Sequence, residues 1–398
     1  MKIAIRNGTI LLEDSAAKDK VILIDEGTIT DIVDERQYAG DRFEIDAQGG
    51  YVSPGFIDTH SDMIEQLIQP RPNTVIDFGI ALREAEKQLI NQGITTMYHA
   101  ISLYTDNTFG KNAVRTLPNF KKLAVLIKNT NMEQHLINHR IHLRYEIENV
   151  SALPFILDLV KKRGIQSLSF TDHTPGQGQY KDLEQYHQQI MGYADGQMTE
   201  DEFQKLIAHH QTKQKVAFDD LCKLAKVAQE NHIPVASHDD DTVEKLKTNQ
   251  EFGINISEFP ITLEVAQAAK ARGMFTVAGA PNVLRGKSHT GNLSACEGVL
   301  ANAVDILCSD YYPAAMLHAV FKLWQSEGLP LWKAMRLTTA NPAAAMGIAA
   351  QVGTISPGKR ADLLCIALID HCPIIHNVLL HGQPVSMLCY AGAREGIN

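Results

Sequence analysis

The sequence predicts an α/β protein, a (β/α)8 barrel of the TIM type with a small β-sandwich domain built from both ends of the chain. Two observations lead to this prediction. Eight apolar segments of strand length alternate with helical segments through the middle of the chain. Both ends instead alternate short β-rich runs with turns. We therefore expect one part of the sandwich at 1–53, a hydrolase barrel at 54–351 and the other part of the sandwich at 352–398.

The two ends of the chain share one pattern. Near the start, Asn7-Gly8 and Glu26-Gly27 are hairpin signals between the apolar runs of KIAIRNGTILLED and VILIDEGTITDIVD. Near the end, GTISPGKRADLLCIAL and NVLLHGQPVSMLCY alternate in the same way. Because neither end is long enough to bury a core alone, we expect the two to pair in one sandwich.

The barrel prediction depends on a count of strands. The eight candidates lie at 55–60, 94–100, 141–147, 167–173, 234–240, 255–260, 274–281 and 305–313. Helical patterns between them include FILDLVKKRG, FDDLCKLAKVAQENH and LEVAQAAKARG. Residues 176–215 are longer and more polar than an ordinary connection, so we expect them to form a helical lid over the barrel mouth.

Composition excludes several classes of function. With 44% hydrophobic and 21% charged residues among 398, the chain is typical of a soluble globular protein. A formal net charge of −9 argues against a nucleic-acid surface, but a cleft can still be locally positive and bind a small anion. No apolar run has membrane length and the first residues lack a signal-peptide layout, so we expect a cytoplasmic protein with no membrane partner.

The six cysteines are scattered and have no CxxC spacing. A chain of this size does not need disulfides, and the spacing does not fit a zinc finger. We expect reduced, buried thiols.

Polar residues end the predicted strands, and barrels of this kind carry their chemistry at the carboxyl ends of their strands. These residues are His60, Asp62, Glu146, His173, His238, Glu258 and Asp310. Imidazoles and carboxylates together are what a pair of divalent metal ions requires. Each residue alone has a simpler explanation, since a lone buried histidine is usually a hydrogen-bonded core residue. The run Asp241-Thr242-Val243-Glu244 also fits a helix N-cap, and Asp310 could start a turn. The joint occurrence at matching strand ends favours the metal site.

One group of histidines looks like a metal motif but is not expected to be one. His135 and His139 precede the predicted third strand, so we assign them to a surface helix far from the site. His142 begins that strand and should lie at the barrel floor. Arg144 shares the inward face with Glu146 because strand side chains repeat with period two. Core ion pairing and contact with an anionic substrate both remain open for Arg144.

At this point the chain resembles a known family. PGFIDTH near the start, with ANPAAAMGI and GTISPGKRADLLCI near the end, resembles the amidohydrolase superfamily, whose barrel carries a split β-sandwich. The segments HSDM, QPRPN, HLRYE, TDHTPGQ, ASHDD, SEFP, GAPNVLRGKSHTGN and CSDYYPA are similar to one branch of it. That resemblance implies hydrolysis of a ribose triphosphate with release of diphosphate, in phosphonate catabolism.

The resemblance also implies a ligand set. It consists of His60, Asp62, Glu146, His173, His238 and Asp310. Asp62 stands where most relatives have a second histidine. Its oxygen should favour harder metal ions than a pair of histidines at these two positions would. Glu146 is the natural bridge between two ions, because no predicted strand ends in the lysine that bridges them in many relatives. We expect two divalent ions per chain, zinc first, with manganese or magnesium as alternatives.

The segment PNVLRGKSHTGN follows the seventh predicted strand and contributes Arg285, Lys287 and His289. With Arg71 from the first loop, these residues would form a phosphate clamp for the anionic substrate, and Arg144 would reach it from inside the barrel. A solvated turn explains any one of them equally well.

The chemistry that follows is metal-assisted hydrolysis, with Asp310 as the base for the attacking water. Two other functions stay open. A cyclic-amide or N-acyl hydrolase predicts a less basic pocket, and a metal-free scaffold predicts an incomplete ligand set. A homo-oligomer is compatible with the sequence.

Overall fold

The structure of the protein is a computed structural model that describes residues 1–103, 114–172, 174, 187, 199–286 and 292–390. The strands are β1 (Lys2–Arg6), β2 (Thr9–Leu11), β3 (Ala16–Ala17), β4 (Lys20–Asp25), β5 (Thr28–Asp34), β6 (Phe43–Asp46), β7 (Tyr51–Pro54), β8 (Phe56–Ser61), β9 (Ile94–Leu103), β10 (Asn138–Glu146), β11 (Ser167–Thr171), β12 (Val235–His238), β13 (Ile256–Glu258), β14 (Phe275–Gly279), β15 (Ile306–Cys308), β16 (Leu363–Ile369), β17 (Cys372–Leu380) and β18 (Gln383–Met387). The helices are α1 (Met63–Ile68), α2 (Phe78–Asn91), α3 (Leu117–Thr130), α4 (Leu153–Lys161), α5 (Glu200–Thr212), α6 (Phe218–Glu230), α7 (Val243–Glu251), α8 (Leu263–Ala271), α9 (Ala280–Arg285), α10 (Ala295–Leu300), α11 (Ala315–Gln325), α12 (Leu331–Arg336) and α13 (Ala340–Ala345).

Strands β8 to β15 form one eight-stranded parallel sheet in chain order, as a (β/α)8 barrel requires. A parallel bridge between Ser61 and Asp310 joins the first strand to the segment after the last, so the sheet is nearly closed. Apolar side chains of the barrel strands, including Ile57, Tyr98 and Ile256, form one buried cluster. The predicted fold is confirmed. All eight carboxyl ends meet at one mouth.

The ends of the chain form two further sheets. A four-stranded sheet has the order β5-β4-β1-β6, and a six-stranded sheet has the order β18-β17-β16-β7-β2-β3. The second sheet joins the two ends of the chain, since β16 pairs antiparallel with β7. A core rich in isoleucine, including Ile3, Ile22 and Ile45, lies with these strands. The small domain built from both ends is therefore present, while the boundaries drawn at 53 and 352 stay a prediction.

Gly55 connects the sandwich to the barrel at a point where the backbone passes close to a side chain of the second barrel strand. A Cβ at this position would lie 2.2 Å from Oγ1 of the buried Thr95. Glycine is therefore needed between β7 and β8, because any side chain there would push the first barrel strand away from the second.

Several local predictions need correction. The third barrel strand begins at Asn138 and not at 141. The N-cap of α7 is Thr242, whose side chain accepts from Lys245 N, and not Asp241. The segment after the seventh strand begins as helix α9, with Pro281 in its first turn. A short helix has too few residues to show a period in the sequence.

Two further expectations have mixed outcomes. All six cysteines are free, but only Cys308 and Cys365 are buried, whereas Cys372 and Cys389 are exposed. The predicted lid at 176–215 contains helix α5, and most of its remainder lies outside the described residues. Within the part of the chain that the structure covers, no helix has the length and apolar character needed to span a membrane.

Candidate metal centre

His60 lies near the end of the first barrel strand, and every residue of that strand is buried. Its Nδ1 is 3.2 Å from Oε1 of Glu258, and its ring centroid is 5.5 Å from that of His238. Burial, helped by nearby Arg144, holds the pKa of His60 well below its ordinary value. The imidazole is therefore neutral, as a metal ligand must be.

His238 and Glu258 end neighbouring strands and are paired in register. One ligand atom from each of them and one from His60 lie within 4.8 Å of one another. All three side chains are buried, and two imidazoles with a carboxylate are a donor set that suits a divalent ion. Sequence reasoning noticed Glu258 as a strand-end residue but left it out of the ligand set.

Both histidines have Nδ1 next to a carboxylate. Glu258 takes this place for His60, and for His238 the Oδ2 atom of Asp239 lies 2.8 Å from Nδ1. The Nδ1–H of His60 that donates to Glu258 leaves Nε2 with its lone pair, which is the usual arrangement of metal-binding histidines.

Asp62 and Asp310 meet at the seam where the barrel closes. The Asp310 amide donates to the carbonyl of His60 at 3.0 Å, and the Asp62 amide donates to the carbonyl of Asp310 at 3.1 Å. Burial raises the pKa of Asp310 to about 7, with a further contribution from the negative charge of Asp62. Burial also raises the pKa of Asp62. Among the described residues, Oδ1 of Asp62 is buried without a hydrogen-bond partner, and such an atom is a natural donor for a cation.

Strand β10 carries the alternation that the sequence predicted. Glu146 is its last residue and is buried, and Nη2 of Arg144 lies 3.4 Å from Nε2 of His238. His142 lies in the middle of this strand, not at its beginning as predicted. Its Nε2 is 2.9 Å from the Ser169 hydroxyl, and its Nδ1 donates to the Thr59 carbonyl at 3.1 Å.

The assignment of His139 to a surface helix is wrong. This residue lies in β10, is buried, and stacks on His99 with ring centroids 5.2 Å apart. Its Nε2 is 3.2 Å from Oε1 of Glu86 on α2. The error arose because an outward-facing strand residue under a helix is buried, although the sequence pattern marks it as surface. His135 is half-buried and lies in no helix.

The predicted phosphate clamp is only partly described. Arg71 is exposed and forms a local bridge with Thr74. Arg285 is exposed at the last turn of α9, where the left-handed Gly286 ends the helix. Three predicted site residues lie outside the described residues, namely His173, Lys287 and His289.

Other residues at the mouth had no signal in the sequence. Phe259 has a left-handed backbone with φ of 53°, and its ring centroid is 5.1 Å from those of both His60 and His238. The Glu65 carboxylate on α1 accepts from Arg115 at 2.9 Å, and burial raises the pKa of Glu65. These contacts depend on side-chain conformation, which strand and helix patterns do not determine.

Comparisons with known proteins agree with this architecture. The profile described as Amidohydrolase family matches residues 51–389. The chain is 34% identical over 349 residues to the alpha-D-ribose 1-methylphosphonate 5-triphosphate diphosphatase of Escherichia coli (strain K12), covering 86% of this chain and 89% of that protein.

Solved structures share the fold at low identity. N-acetylglucosamine-6-phosphate deacetylase from Pasteurella multocida aligns with a TM-score of 0.65 at 13% identity, covering 97% of this chain and 100% of the other. Molinate hydrolase aligns with a TM-score of 0.66 at 13% identity, covering 100% and 99%. Dihydropyrimidinase from Brevibacillus agri NCHU1002 aligns with a TM-score of 0.62 at 16% identity, covering 97% and 95%. These likenesses concern the fold alone.

Proposed function

The chain belongs to the amidohydrolase family, and we propose that it hydrolyses α-D-ribose 1-methylphosphonate 5-triphosphate to the 5-phosphate and diphosphate in phosphonate catabolism. The observation that carries this proposal is the 34% identity, over 86% of the chain, to the Escherichia coli protein of that name. The buried imidazoles and carboxylates at the barrel mouth support it, because they are the groups that metal-assisted hydrolysis uses.

The mouth residues fit divalent metal ions by their chemistry. Besides the buried imidazoles of His60 and His238, a buried oxygen of Asp62 that has no hydrogen-bond partner offers a further donor within the described residues. The proposed ligands are His60, Asp62, Glu146, His173, His238 and Asp310. We assign Glu258 to orienting the imidazole of His60 through Nδ1. When bound, two such ions, zinc before manganese or magnesium, supply the Lewis acidity that makes water acidic near neutral pH.

The reaction itself requires a base and a place for negative charge. Water oxygen forms a bond to the phosphorus nearest the ribose, the bond from that phosphorus to the bridging oxygen breaks, and diphosphate departs. Asp310 takes the proton of the water, because its carboxylate lies at the barrel seam beside Asp62, where the proposed ions would bind. Arg71, Arg144, Arg285, Lys287 and His289 are the proposed phosphate contacts.

The test is an assay that distinguishes diphosphate from orthophosphate as product. The purified protein, first freed of metal and then supplied with Zn²⁺, Mn²⁺ or Mg²⁺, is given the ribose triphosphate and, separately, ATP. We expect one diphosphate per ribose triphosphate cleaved, only after metal is returned. Release of orthophosphate alone would contradict the proposal. Hydrolysis of an N-acyl or cyclic-amide substrate in place of the triphosphate would favour the amide alternative, and a protein that binds no metal and turns nothing over would favour the scaffold.

A further inference from the structure

Asp240 is a fully buried carboxylate beside the metal centre that the mechanism above does not use. It follows strand β12 by two residues, and its Oδ2 accepts hydrogen bonds from the hydroxyls of Ser237 and Ser257, each at 2.5 Å. These serines belong to neighbouring strands, β12 and β13, and are directly paired. One oxygen atom therefore ties the two strands together.

The residue that follows each serine is a member of the metal centre. His238 follows Ser237, Glu258 follows Ser257, and these two are also paired in register. A carboxylate that holds both serines consequently fixes the spacing of His238 and Glu258 one residue further along. Because strand side chains alternate, the serines and the site residues point to opposite faces, so Asp240 supports the site from behind.

The remaining contacts of Asp240 serve the same strand ends. Its Oδ1 accepts from the Asn249 side-chain amide on α7 at 2.9 Å, and its carbonyl accepts from Ile261 N beyond β13 at 2.9 Å. The Lys245 ammonium lies 3.6 Å from Oδ1 and donates to the carbonyls of His238 and Asp239, each at 3.1 Å. Every side-chain hydrogen bond of Asp240 in the described residues is one that its carboxylate oxygens accept.

We infer that Asp240 is a positioning residue that holds His238 and Glu258 at the separation the metal centre needs, without touching metal or substrate. The inference rests on the metal-dependent part of the proposed function and not on the identity of the substrate. A buried carboxylate with three accepted side-chain hydrogen bonds also stabilises the fold, so stability alone does not test the inference.

The first variant is Asp240→Asn, which keeps the shape but turns one acceptor into an amide donor that faces Asn249. We expect the apparent dissociation constant for Zn²⁺, measured by chelator competition on metal-freed protein, to rise about 10- to 100-fold. The visible absorption of the Co²⁺ form should change in position or intensity, because the ligand geometry changes. The double variant Asp240→Asn/Asn249→Asp returns one carboxylate and one amide to the pair, and it should recover much of the affinity and the spectrum.

A matched control lies at the opposite end of the barrel. Asp305 precedes β15 and accepts from the Lys270 ammonium at 2.7 Å and from the hydroxyl of Thr276, on β14, at 3.2 Å. Asp305→Asn should lower the melting temperature and leave the Zn²⁺ dissociation constant unchanged. If Asp240→Asn fails to fold, Ser257→Ala removes a single donor and should weaken Zn²⁺ binding by a smaller factor.

Two results would overturn the inference. One is a folded Asp240→Asn or Ser257→Ala protein with wild-type Zn²⁺ affinity and Co²⁺ spectrum, whatever its melting temperature. The other is a wild-type protein that binds neither ion. Failure of the ribose triphosphate assay alone would contradict the proposed substrate while leaving these metal measurements intact, so the two failures are distinguishable.

Discussion

Substitutions of Asp310 and Arg285 should affect different kinetic constants. Asp310 is proposed to take a proton, whereas Arg285 is proposed to bind a phosphate. Asp310→Asn removes the base, so we expect turnover to fall by at least ~100-fold with substrate affinity nearly intact. Arg285→Ala removes a charge-assisted contact, so we expect binding weaker by roughly 1.5–3 kcal/mol, with part of the loss in the rate. Steady-state kinetics with the ribose triphosphate measure both. An Arg285→Ala enzyme equal to wild type would remove this arginine from the phosphate site.

Phe259 allows the backbone strain at the site to be tested by substitution. A bulky residue with φ of 53° is rare, and its cost is on the order of 1–2 kcal/mol relative to glycine. Phe259→Ala loses the ring and keeps the strain, whereas Phe259→Gly loses the ring and relieves it. We therefore expect the glycine variant to be the more stable of the two by about 1 kcal/mol, measured as the difference in unfolding free energy. An alanine variant as stable as the glycine variant would mean that the strain is absent in solution.

At the scale of secondary structure, helix α5 contacts the barrel mouth through the half-buried carboxylate of Glu148. Oε2 of Glu148, two residues beyond β10, lies 3.4 Å from Nδ1 of His210 and 3.1 Å from Nζ of Lys213. Burial opposes the ionisation of Glu148, but its hydrogen bonds to these two partners hold its pKa below the ordinary value. Glu148→Gln should therefore loosen the helix and raise amide exchange across Glu200–Thr212 about tenfold.

Hydrogen exchange with mass spectrometry measures this effect. The matched control is Asp201→Asn, which breaks the exposed pair between Asp201 and Lys205 on the same helix. Exposed pairs of this kind contribute little, so exchange should stay as in the wild type. Equal exchange in Glu148→Gln and Asp201→Asn would show that Glu148 does not hold the helix.

The elements were predictable where the sequence pattern and the burial agree. All eight barrel strands were found because buried parallel strands are continuous apolar runs between helical segments. The start of β10 was missed because Asn138 and His139 are polar, although His139 is buried beneath α2. A sequence pattern that counts apolar residues does not detect polar residues that are buried and hydrogen-bonded to one another.

At the scale of the whole molecule, the topology explains why part of the site was predictable. Parallel strands in chain order bring all their carboxyl ends to one mouth, so the meeting of His60, His238 and Asp310 follows from the strand assignment. The short distance between Glu258 and His60 does not follow from the strand assignment. Nor does the hydrogen bond that Asp240 accepts from Ser237. They depend on rotamers and on turns after the strands, which only the packed structure determines.

The whole molecule should also lose stability in acid through a second buried cluster, outside the barrel interior. Nε2 of His99 is 2.8 Å from Nδ1 of His139, whose Nε2 faces Glu86. Burial lowers the pKa of His139, and it lowers that of His99 well below the ordinary value. In acid, these two histidines therefore bind fewer protons in the folded state than in the unfolded state. This contribution to stability is present above about pH 6.5, the ordinary histidine pKa, and is lost as the pH falls below it.

His99→Gln isolates this effect, because glutamine can still donate to His139 but does not titrate. The unfolding free energy of the wild type should fall more steeply between pH 7.5 and 5.5 than that of the variant. The expected difference in slope below about pH 6.5 is up to ~1.4 kcal/mol per pH unit, which corresponds to one proton. His209→Gln, the same change at an exposed position of α5, should keep the wild-type slope. Urea unfolding at several pH values measures all three proteins. Parallel curves for wild type and His99→Gln would mean that His99 binds its proton equally well in the folded and unfolded states, and the acid sensitivity would then have to come from other groups.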